Sequence, residues 1–370
     1  MANVLTLIPY RIFPSNLGGQ RVISSFNKYL CKYHNLTAVM LKSDKPQNVE
    51  YKTISFFGDS KFRYVNILNF FKLRRVIKEL AITTVIVEHP FLGWLGILLK
   101  RFCKIRLMIH SHNIEAIRFK SVGKRWWRLL EIYEKWIHNN ADLTFCITPE
   151  DREYMITNYH LTPDKCHVLT YGVEWDSAPS VIVKNHSKKQ LHEKYNISDD
   201  RLLFLFNGAL SYRPNFDAVQ VIITKIHALL SNVLNKYTIF ICGKGLPEED
   251  RIFVGTEDQQ IIYTGFVDDI DLFFNGCDVF INPVISGGGI KTKLVEALAA
   301  NLNCVSTKTG AIGVDANYCH GKLQIANDSD WNDFVEKMIR VSQNKMIIGS
   351  NFFDHFNLDK NIRRAAQLIH

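Results

Sequence analysis

Residues 278–299 read DVFINPVISGGGIKTKLVEALA, and the order of residue types along this stretch decides the fold. A short apolar run at 278–281 leads into a turn holding Gly287, Gly288 and Gly289, and a helix-forming segment follows through Ala300. A buried strand that feeds a tight turn and then a helix is the repeating unit of a parallel sheet. Three glycines at a helix start also gather backbone N–H groups into a cradle for an anion, with the positive end of the helix dipole behind it. The turn is not a Walker A loop, because Ile290 rather than glycine precedes Lys291 and Thr292. Lys293 and Glu296 stand three apart on one helix face, the spacing of an ordinary surface ion pair.

Similar β-branched or aliphatic runs recur at 202–206, 237–241, 260–263, 303–306 and 322–325 on either side, and at 4–8, 36–41, 83–87, 105–109, 143–147 and 166–169 before them. Helix-period segments lie between several of them. The alternation predicts an α/β chain of two consecutive Rossmann-like units. Residues 1–172 form the first and 201–350 the second. A polar stretch at 173–200, with Pro179 and several lysines, reads as a linker with one short helix, and 351–370 as a C-terminal helix crossing back to the first domain.

Ligands of open parallel sheets bind beyond the carboxyl ends of the strands, so the loops there are where chemistry is sought. The first, residues 9–20, ends in Gly18 and Gly19 before a helix; its spacing lacks the dinucleotide fingerprint but lets a ligand approach backbone N–H groups. The loop at 207–215 holds Gly208, which removes a Cβ just past a strand, and Arg213, whose guanidinium fork suits phosphate.

Length and composition are consistent with this reading. A chain of 370 residues with 47% hydrophobic and 22% charged residues is large enough for two packed domains. Its longest apolar stretches, such as 91–99, are about half of what a membrane span requires. The first residues lack the basic segment and cleavage site of a signal peptide, so a cytoplasmic location is expected. Eight cysteines stand singly, with no Cys-x-x-Cys pair, and read as reduced, mostly buried thiols. Asp268-Asp269 reads as a loop or cap rather than a metal site. The net charge of +9 is uneven: residues 1–172 hold 25 Lys and Arg against 13 Asp and Glu, a net of +12. That half calls for an anionic partner.

The stretch 206–219, FNGALSYRPNFDAV, together with residues 265–267 and 278–299, resembles the C-terminal domain of glycosyltransferase family 4, the retaining GT-B enzymes. Gly18-Gly19 and the segment HSHNIE at 110–115 are similar to that family's N-terminal domain. The resemblance implies two Rossmann-like domains facing each other across a cleft and transfer of a sugar from a UDP- or GDP-linked donor to a glycan or lipid-linked glycan, without metal or other cofactor. It places the donor on Gly18, Gly19, Gly208, Gly287, Gly288, Gly289, Ile290, Lys291, Lys293 and Glu296. Glu296 matches the carboxylate that binds the nucleotide ribose. His112, Lys293 and Arg213 take the catalytic roles, and His112, Asn113 and Glu115 face the acceptor. Gly288 stands where many members carry a further glutamate, which removes a carboxylate contact to the donor sugar. A nucleotide-sugar epimerase of the same fold, or a membrane-associated scaffold with a degenerate site, are the alternative readings.

Two segments bear on the acceptor. Residues 61–80 and 118–138 interleave Phe62, Val65, Leu68, Phe71, Trp126, Trp127 and Trp136 with lysines and arginines at helix spacing. Basic amphipathic helices with tryptophan suit an anionic membrane surface, on the inner face of the plasma membrane; helices packing an apolar face on the sheet have the same pattern. No nucleic-acid module is present.

Overall fold

The computed structural model describes residues 1–15, 18–248 and 260–369. The chain divides into two compact units, Met1–Gly172 with Leu358–His370, and Val173–Asn357. In the first, the strands are β1 (Asn3–Leu7), β2 (Asn35–Leu41), β3 (Lys52–Phe57), β4 (Thr84–Glu88), β5 (Arg106–Ser111), β6 (Leu143–Cys146) and β7 (Cys166–Val168). They pair in parallel in the order β3-β2-β1-β4-β5-β6-β7. The second unit holds β8 (Leu202–Asn207), β9 (Tyr237–Cys242), β10 (Ile261–Gly265), β11 (Val279–Asn282), β12 (Asn303–Thr307) and β13 (Leu323–Ala326). These are also parallel, in the order β10-β9-β8-β11-β12-β13.

Alternate side chains of one strand enter opposite faces, and both faces are covered by helices. Val4 of β1 packs with Ile86 and Met108 on one face, whereas Leu5 and Leu7 pack with Val85 and Val87 on the other. All of these are fully buried. Each is worth about 1.5–3 kcal/mol, so the sheet centre carries the stability of the unit. The edge strand β3 is a seventh strand where the sequence shows six runs. Only Phe57 in it is buried, so it lacks the apolar run that marks the others.

Residues 173–200, expected to form a linker with one short helix, hold the fifteen-residue helix Val181–Tyr195, capped by Ser180, and belong to the second unit. Leu191 of this helix is buried against Gly276, and Lys188 bonds Asp278 at 2.7 Å. Its inward face is narrow, with Ser187, Leu191 and His192 buried, so a polar composition hides it. The final helix, Leu358–Gln367, sits with the first unit. There Leu358, Ile362, Ala365 and Ala366 recur at helix spacing in the core, and the His34 ring meets the Ala366 carbonyl at 3.0 Å. All eight cysteines are free and six are buried. No helix among the described residues is long and apolar enough to cross a membrane.

In each sheet the strand order reverses once, between β1 and β4 and between β8 and β11. The crevice beyond that point is where a doubly wound sheet binds its ligand.

Candidate active site

In the second unit, the loops after β8 and β11 meet beyond the switch point. Gly287 and Gly289 have φ of 86° and 65°, a left-handed backbone that glycine adopts without strain. A Cβ on Gly287 would lie 2.8 Å from the Tyr212 hydroxyl, so the glycine turn lies against the 207–215 loop. Gly208 is equally crowded: its Cβ would lie 2.7 Å from the Asn215 amide. Lys291 folds back to donate to the Gly289 carbonyl at 2.9 Å and thereby holds the turn. The helix Thr292–Ala299 starts directly after it, with its first N–H groups toward the turn.

Lys293 and Glu296 are bonded at 2.7 Å. This is not the solvated pair that spacing alone suggests, because Glu296 is buried. The carboxylate beside the lysine holds the ammonium in place. Arg213 differs: it pairs with Asp217 at 2.7 Å and is 74% exposed, at the start of the helix Arg213–Val221. Asp269 accepts from the Leu272 N–H, which is a cap.

In the first unit, Gly18 and Gly19 open the helix Gly18–Leu30 at the end of the β1 loop; Asn16 and Leu17 of that loop lie outside the described residues. Asp44 accepts from the Ile12 and Phe13 N–H groups at 2.9 Å each and anchors the start of the loop. The end of β5 carries His110 and leads to His112. Both histidines bond Glu88 at the end of β4, with His112 Nε2 at 2.8 Å and His110 Nδ1 at 3.2 Å. Burial pushes the Glu88 carboxyl up, but the two histidines outweigh it and bring it down to about 2. The carboxylate is therefore an acceptor only, and the ring nitrogens facing it carry the protons. Nδ1 of His112 and Nε2 of His110 have no partner among the described residues. His89 stacks on His112 at 4.3 Å, with φ 60° and ψ 158°, a backbone region that costs a non-glycine residue about 1–3 kcal/mol.

Asn113 is half-buried, and its side chain reaches Glu115 at 3.3 Å. Glu115, expected to face an acceptor, is fully buried. Its oxygens accept from His89 at 3.0 Å and from Arg118 at 2.8 and 2.5 Å. It organises the site from beneath. Behind it, Glu134 caps the helix Glu115–Ser121 by accepting from the Glu115 and Ala116 N–H groups at 2.9 and 2.7 Å.

Glu88, His110 and His112 are also the trio whose ligand atoms lie within 4.8 Å of one another among the described residues. A cation there would have to displace the two ring protons that Glu88 already accepts.

This buried cluster sets a pH dependence. Burial, then repulsion from His89 and His110, brings His112 down to about 3 against the pull of Glu88, and burial brings His138 down to about 3. Folded, both are neutral; unfolded, both protonate near pH 6.5. Between pH 6.5 and 3 the unfolded chain binds more protons, so stability is lost as pH falls, by about 1.4 kcal/mol per unit for each histidine. Glu134, raised to about 8 by burial against its N–H donors, acts with the opposite sign from pH 4.5 to 8, one group against two. The melting temperature should therefore fall from pH 6.5 to 4.5, and His138→Gln should flatten the slope. A flat wild-type profile would refute the assignment.

The sequence reading did not single out Glu88, Tyr212 or the turn after β12. In that turn Thr307 Oγ1 donates to the Val284 carbonyl at 2.5 Å, and Asn282 bonds Ser306 and the Gly310 carbonyl at 2.9 Å each. The run Ser306-Thr307 followed by Gly310 at a strand end was the available signal.

Comparison with known proteins covers both units. Residues 18–176 match the model described as Glycosyltransferase Family 4, and residues 201–344 the model described as Glycosyl transferases group 1. A 44.6 kDa protein in the cps region of Klebsiella pneumoniae is 27% identical over 64% of this chain and 60% of its own. The O-antigen biosynthesis glycosyltransferase WbnH of Escherichia coli is 24% identical over 67% of this chain and 65% of its own. The chain thus spans under two thirds of the length of these curated relatives. Anabaena Alr3699/HepE, solved with UDP, superposes with a TM-score of 0.72 at 13% identity, covering 100% of this chain and 99% of that one. Sucrose-phosphate synthase from Thermosynechococcus elongatus gives 0.69 at 14%, covering 100% and 95%.

Proposed function

This chain belongs to glycosyltransferase family 4 and has its GT-B fold, and on that premise we propose that it moves a sugar from a UDP- or GDP-linked donor to a glycan or lipid-linked glycan, in assembly of an O-antigen-type surface polysaccharide. The observation that carries this reading is the glycine turn at the switch point of the second sheet, with Lys293 clamped to the buried Glu296 behind it. Backbone N–H groups of residues 287–290 and the Lys293 ammonium would take the donor diphosphate, with Arg213 swinging from Asp217 to join them. Glu296 would accept from the ribose hydroxyls. Negative charge appears on the leaving diphosphate as its bond to the sugar breaks, and preorganised donors stabilise charge where it develops.

In the proposed step, the C1–O bond to the β-phosphate breaks and the acceptor oxygen bonds C1 on the same face, which retains the configuration. The acceptor proton passes to the departing phosphate oxygen. His112 Nδ1, an acceptor because Nε2–H points at Glu88, would take a hydrogen bond from a sugar hydroxyl, and Asn113 would line the acceptor side. The protein needs no metal in this scheme. The net +12 of residues 1–172 supports work at an anionic membrane on its cytoplasmic side.

Thermal stabilisation by a panel of nucleotide sugars tests the reading and identifies the donor. Glu296→Ala should weaken UDP or GDP binding by about tenfold in calorimetry, the loss of one charged hydrogen bond. Unchanged affinity would overturn the role of Glu296, and stabilisation by no nucleotide sugar would overturn the transferase reading.

A further inference from the structure

The helix Leu68–Glu79 buries Phe70, Leu73 and Ile77, yet Phe62, Val65, Ile67, Leu68 and Phe71 are each at least half exposed. The helix Trp127–Asn140 repeats the arrangement: Leu130 and Ile137 face the core, while Leu129, Ile132 and Trp136 face water beside Trp126. Packing on the sheet needs one apolar face, so a second one has another purpose.

Between these two exposed stripes runs a groove of about 500 Å³, walled by Tyr64, Phe91, Trp94, Phe119, Trp126 and Tyr133. The polar atoms of Trp94, Tyr64 and Tyr133 in its walls are engaged within the protein. Trp94 Nε1 donates to the Tyr64 carbonyl at 2.8 Å, the Tyr64 hydroxyl to the Pro9 carbonyl at 3.3 Å, and the Tyr133 hydroxyl to the Phe91 carbonyl at 3.2 Å. A sugar would leave its hydroxyls unmatched against such walls, whereas a hydrocarbon chain needs no hydrogen bonds. The groove ends near the chemistry: the Phe91 ring stacks with His89 at 5.9 Å, and His89 with His112 at 4.3 Å. Lys61 lies in its wall, and the segments that carry the two stripes also carry exposed cations, Lys72, Arg74 and Lys78 on the helix Leu68–Glu79 and Lys120, Lys124 and Arg125 shortly before the helix Trp127–Asn140.

We propose that this groove holds the hydrocarbon chain of an acceptor carried on a lipid phosphate, with Lys61 and the exposed cations of the same segments meeting the phosphate charge and the exposed apolar stripes entering the bilayer. The proposal rests on the transferase reading and names the acceptor class. Mostly aromatic walls, with the polar groups of Trp94, Tyr64 and Tyr133 turned to the protein, fit the chain, and Lys61 with the basic residues of the adjoining segments fits its anionic head.

Farnesyl diphosphate, a soluble probe of that chemistry, tests it on the full chain with UDP and GDP present in excess to occupy the donor side. Tryptophan emission should change saturably with farnesyl diphosphate and not with inorganic pyrophosphate. Val65→Glu and Trp126→Ala, both at exposed positions, should each weaken binding about tenfold, with Trp126→Phe restoring it and the melting temperature unchanged. An equal response to pyrophosphate, wild-type affinity in both variants, or binding to phosphatidylglycerol vesicles with none to the soluble probe would overturn the groove. Absence of both UDP and GDP binding in calorimetry would instead overturn the transferase reading, so the two failures are distinct.

Discussion

Lys293→Ala is expected to lower turnover by about 30- to 900-fold, the equivalent of about 2–4 kcal/mol of barrier, with the fold retained. The magnitude follows from where the charge lies. Lys293 is on the first turn of the helix Thr292–Ala299, a quarter exposed, and is held at 2.7 Å by a carboxylate that is itself nearly closed off from water. An ammonium fixed before the reaction pays no reorganisation when the diphosphate gains charge, and the surrounding protein screens it less than water would. The variant leaves Glu296 without its cation, so nucleotide affinity should fall as well, but by less than turnover. Steady-state release of nucleotide from the donor found by the stabilisation panel separates the two effects. Turnover within threefold of wild type would refute the role.

Glu88 gives the second large effect, and through a different route. Glu88→Ala strips the acceptor from two buried ring N–H groups, on His110 and His112, at a cost of about 1–3 kcal/mol for each orphaned donor. Chemical denaturation should show the loss directly. Glu88→Gln keeps the shape but offers an amide N–H to one ring nitrogen, which then must be unprotonated. If that ring is His112, its proton moves to Nδ1 and the atom proposed to accept from a sugar becomes a donor. Near-wild-type stability with turnover reduced at least about tenfold is therefore expected for the glutamine variant, the discrimination of one hydrogen bond of the wrong polarity. Full activity in a folded Glu88→Gln protein whose new amide N–H faces His112 would exclude the proposed polarity of His112.

These two residues were unequally legible. Lys293 stands in a local pattern of strand, glycine turn and helix, and each part of that pattern acts within a few residues of the next. Glu88 looks like a strand's last residue before His89 and Pro90, with no neighbour in sequence to betray its role. It meets His110 and His112 because β4 and β5 are adjacent and in register at Glu88 and His110. Glu115 shows the converse. It stands in a recognisable segment, yet its carboxylate is turned inward by His89 and Arg118, which come from another loop and from the next helical turn.

The sequence by itself determined the two parallel sheets, the glycine turn before the helix Thr292–Ala299 and the excess of positive charge in the first half, because periodicity, glycine placement and charge are local quantities. Tertiary structure alone decided which buried acid faces which histidine, that the helix of residues 181–195 packs within the second unit, and which apolar side chains of residues 61–80 and 126–138 remain in water. The physical reason is that a polar group's partner and an apolar group's burial depend on strand order and helix docking, and those join residues tens of positions apart.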